Sequence, residues 1–384
     1  MGATSTPPER PEPQKRPQAP AHRAPGALAL NPRWLAQVLG AEFARPRAIA
    51  VACSGGRDSI ALLHATVAAA KKLAQAAPSS PSAPSAPSSS VTVHALHVHH
   101  GLMAQADAWA DGLMALCAQW AARGDPVTGQ VSRLHGQPAP GESIEAWARR
   151  GRYAALGRMA RAAGCQAVLL AHHRQDQIET VLLQLLRSAG PAGLAAMPSD
   201  AQRDGLRWLR PWLDEAPKRI AAYAATHALP VVHDPSNTDP RHTRSRLRHA
   251  VLPALEAAFP HAASALSHAA RRAAQAADAL NELAELDAAQ ALAGSPPRLD
   301  ISAWLRLSPA RRGILLRHWL GQLTAAPPET LIARLQAELP RATTGQRWPL
   351  PGGAWLVARR GWLGTAHPGP PAPTAQPAPP DQRA

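Results

Sequence analysis

Cysteine is scarce: Cys53, Cys117 and Cys165 are the three thiols in 384 residues. So few, so scattered, they build neither a disulfide framework nor a structural zinc site. Cys53 and Cys165 fall in apolar runs, where a thiol packs as a small hydrophobe. Aromatic residues are only 4%, with 11 Trp against two Tyr and two Phe, which leaves an apolar set dominated by Ala. No apolar run approaches the ~18 residues that a membrane span needs. The N-terminus carries proline and charge without the apolar stretch of a secretory signal, so a soluble, cytoplasmic protein is expected. Acidic residues are the minority, 26 against 41 Lys and Arg, for a net charge of +15 with His neutral. A surplus of that size draws polyanions by steering and counterion release. Arg10, Lys15, Arg16 and Arg23 are the basic residues of the first 25 positions, so most of the excess belongs to the folded part. A nucleic-acid partner is expected.

What is abundant organises the chain. Residues 1–25 and 367–384 are rich in Pro and polar residues, a composition that buries no core and predicts disordered tails. Pro78–Ser90 consists of Pro, Ser and Ala alone and reads as a surface insertion between a helix and a strand. Between the tails, strand and helix signals alternate. Strands are expected at Ala48–Cys53, Val91–Val98, Val127–Leu134 and Gln166–Ala171. Helices are expected at Asp58–Ala76, about Ala104–Arg123, Ser143–Ala163 and Asp176–Arg187. That alternation predicts an α/β fold with a parallel sheet covered on both faces, whose ligands bind at the carboxyl ends of the strands. After Trp212 the signals turn helical, with one short strand at Ala354–Ala358. Residues 26–214 are therefore read as a catalytic domain, and 215–366 as a smaller, mainly helical domain.

Three segments carry chemistry. In Ala50-Val51-Ala52-Cys53-Ser54-Gly55-Gly56-Arg57-Asp58-Ser59 an apolar strand runs into two glycines and a helix opens. Glycines admit an anion close to the backbone, and a helix start offers free N–H groups and a positive dipole end. Ser54 and Ser59 add hydroxyls, and Asp58 an oxygen ligand for Mg²⁺. No Gly-Lys-Ser/Thr follows, so this is not a Walker loop. The run His97-Val98-His99-His100 ends the second strand, but strand alternation splits its imidazoles between faces and argues against a metal site. In Ala171-His172-His173-Arg174-Gln175-Asp176-Gln177-Ile178-Glu179-Thr180, Asp176 and Glu179 stand three apart on one helical face, beside two imidazoles.

The loop Ser54–Ser59 resembles the pyrophosphatase loop, Ser-Gly-Gly-x-Asp-Ser, of enzymes that cleave ATP between the α and β phosphates. With Glu145–Tyr153, Gly190–Leu194, Leu209–Leu213 and Asp234–Asn237 in the same order, the chain resembles the tRNA(Ile)-lysidine synthetases from about Ala48 to Leu255, and more faintly to Trp362. The resemblance implies an ATP-pyrophosphatase domain followed by a tRNA-binding one. It implies adenylation of the C2 oxygen of the wobble cytidine in a minor isoleucine tRNA with a CAU anticodon, then displacement of AMP by free L-lysine. On this chain Ser54, Gly55, Gly56, Arg57, Asp58 and Ser59 would hold ATP, with Asp58 and Asp176 on Mg²⁺. His172 or His173 would lie near the α-phosphate, and Asp176 and Glu179 would hold metal or the lysine ammonium. Arg149, Arg152, Arg210, Arg241, Arg244 and Arg248, with Arg246 in the same run, would face tRNA or the adenylate. A homodimer is a possible assembly. The family usually has Asp where Gln175 stands and often Asn where Ser245 stands. The chain ends soon after Trp362, so the extra C-terminal domain of longer members is expected to be absent. Two other readings remain: a tRNA thiolase with the same loop, which would need the Cys-x-x-Cys missing here, and a non-catalytic RNA-binding protein.

Overall fold

The computed structural model describes residues 32–39, 47–76, 91–101, 105–139, 141, 143–232, 243–324 and 327–366. The tails, the Pro78–Ser90 insertion, Asp234–Asn237 and Arg241 lie outside the described residues. Contacts divide the chain into two compact units, Met1–Ala270 and Arg271–Ala384.

In the first unit the order is α1 (Pro32–Leu39), β1 (Arg47–Ala52), α2 (Arg57–Gln75), β2 (Val91–His99), α3 (Ala106–Ala122), β3 (Val127–Arg133), α4 (Ile144–Ala162), β4 (Ala167–Leu169) and α5 (Arg174–Leu185). Then follow α6 (Pro191–Leu194), β5 (Asp200–Arg203), β6 (Leu206–Leu209), α7 (Pro217–Thr226), α8 (Thr243–Arg246), a π-helical turn at Leu247–Val251 and α9 (Leu252–Ala258). The six strands form one sheet in the order β3-β2-β1-β4-β6-β5, parallel except for β5. The expected α/β architecture is what the chain adopts.

Alternation along β1 shows why the sheet is covered on both faces. Ile49 and Val51 pack into a cluster with Leu62, Leu63 and Val67 of α2, Leu113 of α3 and Ile220 of α7. Ala48 and Ala50 point the other way, against Tyr153, Ala155, Leu156 and Ala160 of α4. Side chains on a strand alternate between faces, and a doubly covered strand reads as a continuous apolar run. The strand order reverses at β1: the next strand in sequence, β2, lies on one side and β4 on the other. Ligand crevices in open α/β sheets form at that switch point, beyond the carboxyl ends of the strands. The segments after β1 and β4 are the two motif loops, residues 53–56 and 170–173.

The second unit contains most of α10 (Ala262–Ala291), then β7 (Leu292–Ala293), β8 (Arg298–Asp300), α11 (Ile301–Leu305), α12 (Pro309–Leu323), α13 (Glu329–Glu338), β9 (Arg347–Pro349), β10 (Trp355–Arg359) and β11 (Trp362–Ala366). Its strands form an antiparallel sheet in the order β7-β8-β11-β10-β9. Trp304, Trp319 and Trp348 fill its core, all fully buried. The expected strand at Ala354–Ala358 is β10, and four more strands of two to five residues surround it. The helical signals that begin near residue 215 do not coincide with the division of contacts at Ala270: α7 packs on α2 and belongs to the sheet domain's core.

Candidate active site

The loop after β1 owes its shape to one hydroxyl. Ser59 Oγ donates to the Gly56 carbonyl at 2.8 Å, accepts from the Ser54 amide at 3.2 Å and lies 3.2 Å from Ser54 Oγ. Ser54 Oγ in turn accepts from the Gly56 amide at 3.3 Å. The chain can close this tightly because Gly55 has φ +86°, a conformation that a Cβ strains. The Gly55 carbonyl is bound by the Val232 amide at 3.1 Å, and the Val232 side chain lies 3.6 Å from where a Gly55 Cβ would stand. Helix α2 starts at Arg57 with Gly56 at its N-cap, and no side chain caps it. First-turn amides and the positive dipole end therefore remain for an anion.

Beneath the loop, His97 Nδ1 donates to the Cys53 carbonyl at 2.8 Å. This bond ties β2 to the end of β1 and fixes which ring nitrogen carries hydrogen. His97 and His99 are buried, and burial pushes His97 and His100 down, His100 to about 4 with help from the nearby Arg152 charge. Among the described residues no group of three or more His, Cys, Asp or Glu is arranged to hold a metal alone.

The loop after β4 meets the first loop through His173. Its Nε2 is 3.5 Å from Asp58 Oδ2, and its Nδ1 is 3.3 Å from Asp176 Oδ2. The second contact lacks hydrogen-bond alignment, because Nδ1 has no bonded partner; Asp176 Oδ2 instead accepts from the His173 amide at 3.0 Å. Burial opposes the charge on this imidazole, but its hydrogen bond to Asp58 and the charges of Asp176 and Asp58 outweigh it and raise its pKa. Asp58 is pushed the other way: burial works against ionisation, and His173 and Arg57 overcome it. One helical turn on, Arg248 Nε and Nη2 donate to Glu179 Oε1 and Oε2 at 2.8 and 3.1 Å, and Nη2 reaches Asp176 Oδ1 at 3.4 Å. Glu179 is fully buried, so this fork supplies the partner that a buried carboxylate requires.

The other side of the loop is cationic. Arg210, itself buried, donates from Nε to His172 Nδ1 at 3.2 Å and from Nη1 to the Pro198 carbonyl at 2.8 Å. His172 is held well below its ordinary range by burial and then by the charges of Arg210, Arg152, Arg149 and Arg244. It is neutral, with its hydrogen on Nε2. The guanidiniums of Arg149, Arg152 and Arg203 lie 5.3, 5.8 and 5.7 Å from the Tyr153 ring centre. Arg244 donates to Thr180 Oγ1 at 3.3 Å, and Arg246 is exposed.

Most of the expected residues thus fall into two groups in the described structure. Ser54–Ser59 with His173, Asp176, Glu179 and Arg248 form a connected set, and Arg149, Arg152 and Arg210 gather around His172 and Tyr153. The arginine run does not act as one face, since Arg248 enters the carboxylate pair and Arg246 does not. Sequence reasoning missed Arg203, Val232 and the role of Tyr153; the spacing Arg149-x-x-Arg152-Tyr153 on one helix was the signal for the last.

The chain has matches among known proteins. The family described as "PP-loop domain" matches residues 32–255, and the "TilS substrate binding domain" matches residues 299–375. The tRNA(Ile)-lysidine synthase of Bordetella pertussis is 40% identical over 311 residues, which cover 79% of this chain and 90% of that protein. That of Polaromonas naphthalenivorans is 39% identical over 314 residues, 82% of this chain and 87% of its own length. A solved U34-tRNA thiolase from Methanococcus maripaludis aligns with 63% of this chain and 76% of its own, with 14% identity and a TM-score of 0.47. With two domains matched in order and relatives aligned over most of their length, the chain belongs to the tRNA(Ile)-lysidine synthase family.

Proposed function

We propose that this enzyme ligates free L-lysine to C2 of the wobble cytidine of a minor isoleucine tRNA with a CAU anticodon, at the cost of ATP. The cytidine C2 oxygen attacks the α-phosphorus, the bond to the bridging oxygen breaks and pyrophosphate leaves. An amine of lysine, once deprotonated, then attacks C2, and the C2–oxygen bond breaks as AMP departs. The observation that carries this reading is the joining, through His173, of a phosphate loop to a second carboxylate set. Pyrophosphate release calls for the first, and a cationic amine for the second.

Each group has a task in this scheme. Gly55, Gly56 and the start of α2 cradle the phosphates, with Arg57 at the rim. His173, its positive charge favoured by Asp58, stabilises charge on the α-phosphate, and preorganised charge of this kind is a large term in catalysis. Asp58 and Asp176 offer hard oxygen ligands on either side of His173, a donor set that suits Mg²⁺ when phosphate oxygens complete the shell. Mg²⁺ there would offset charge on the phosphates. Arg248 already occupies Glu179, so Asp176, which keeps some exposure, is the carboxylate to receive the proton of the amine. Arg149, Arg152, Arg210 and Arg244 face RNA phosphate or the adenylate. Residues 215–366 assist in gripping tRNA. No described helix is long and apolar enough to cross a membrane, in keeping with work in the cytoplasm.

Incubation with ATP, labelled lysine and bulk tRNA tests the scheme. Label in one isoleucine tRNA, with AMP and pyrophosphate as products, is the expected outcome. Tight tRNA binding without pyrophosphate release would favour the non-catalytic reading, and sulfur incorporation the thiolase.

A further inference from the structure

The second unit has a cationic cavity that none of the site residues above touches. It measures about 570 Å³ and is lined by Arg298, Thr344, Gly345, Arg359, Arg360 and Trp362. Its construction follows from the hairpin β10–β11. Trp362 pairs directly with Arg359, and Arg360 and Gly361 form the two-residue turn between them. Residues 362 and 364 share one face of β11, because strand side chains alternate, while Leu363 points into the core. Arg298 lies opposite Gly364, next to the Leu299–Leu363 pair. A Cβ at Gly364 would meet the Arg298 stem at 3.1 Å, so the glycine lets that stem lie flat on the sheet. Its guanidinium is thereby carried over the Trp362 ring, 5.5 Å from the centre.

Four carboxylates of this unit are engaged elsewhere. Asp287 binds Arg311, Glu329 binds Arg317 and Glu338 binds Arg334, while Asp300 caps α11 through the Ser302 and Ala303 amides. Among the described residues, Arg298, Arg359 and Arg360 have no recorded ion pair, and the cavity lining contains no acidic residue. Arg360 also holds φ +47° and Gly361 φ +83°. Two positive φ values define the hairpin turn in which Asn-Gly or Gly-Gly is favoured, and an arginine at the first place is uncommon there. The turn therefore presents a guanidinium at some conformational cost.

Taking the substrate to be tRNA, as proposed above, we infer that Arg298, Arg359 and Arg360 form a binding site for a phosphodiester of its backbone, with Trp362 holding Arg298 in place. Planar guanidiniums suit phosphate oxygens, and contacts of this type position an RNA without reading its sequence.

The test is direct binding of bulk tRNA to the full-length protein over a range of salt, which needs no turnover. The variant Arg298→Gln/Arg359→Gln/Arg360→Gln is expected to lose about tenfold in affinity, with a salt slope flatter by about two. Arg317→Gln, at an arginine already paired with Glu329, serves as the reference and should match wild type. Arg360→Gly guards against a folding artefact, since glycine relaxes the turn: its Tm should be no lower than that of wild type while tRNA binding weakens two- to fivefold. Unchanged affinity and slope in the folded triple variant, or in Arg360→Gly, would overturn the site. Absence of lysine incorporation by wild type would defeat the reaction proposed above and leave this binding result standing by itself.

Discussion

His172 and His173 are neighbours in the chain and opposites in their surroundings. His172 accepts a hydrogen bond from Arg210 and is kept neutral by burial and four guanidiniums. His173 lies between Asp58 and Asp176 and is favoured as the imidazolium. The two side chains thus meet groups of opposite charge. One wall gathers guanidiniums and the other carboxylates. The contrast shows how two identical side chains acquire different protonation from the charges beside them.

Removing a carboxylate breaks the contrast most severely. Asp58→Ala should slow pyrophosphate release on the order of 10²–10³-fold while tRNA affinity stays within a few-fold; unchanged turnover would remove Asp58 from the site. Next comes the cation within the anionic wall. Arg248→Ala strands the fully buried Glu179 and should cost about 2–3 kcal/mol, reduced from the buried-pair value by the partial exposure of Arg248. Arg246→Ala, two residues away and exposed, should stay within about 0.5 kcal/mol. Equal losses in urea melts would show that the two arginines are not distinguished.

The histidines themselves give opposite pH signatures. The folded pKa of His173 is raised, so its stabilisation is complete below the unfolded value of about 6.5 and is lost as pH climbs through the folded value. That of His172 is depressed, so its contribution is lost as pH falls below about 6.5. Replacing His173 with Gln should flatten the alkaline side of the stability profile, and replacing His172 with Gln the acidic side. Ring NMR titrations with the same direction of shift for both would contradict the assignment. The smallest effect is expected from Gln175→Asp, which adds a carboxylate to the first turn of α5. A helix start favours an acid by about 0.3–1 kcal/mol, so a slight rise in Tm with turnover within threefold is expected.

Local features were legible in the sequence and long-range ones were not. The loop Ser54–Ser59 announces itself because strand, glycines and helix start are contiguous. Asp176 and Glu179 follow from the helical repeat. Nothing local joins Arg248 to Glu179, 69 positions away, or His97 to the Cys53 carbonyl across 44. The hairpin β5–β6 and the sheet of the second unit use strands of two to five residues, too short for alternation to register against the helical signals around them. Trp212 was visible only as part of a motif, yet it is fully buried beneath α2 and α7.

The proposed reaction has two separable steps, because lysine enters only after pyrophosphate has left. The most direct test is a quench-flow measurement of wild type with ATP and tRNA in the absence of lysine. The account predicts a burst of pyrophosphate near one per bound tRNA, followed by AMP release only after lysine is added. Pyrophosphate that forms only when lysine is already present would contradict it.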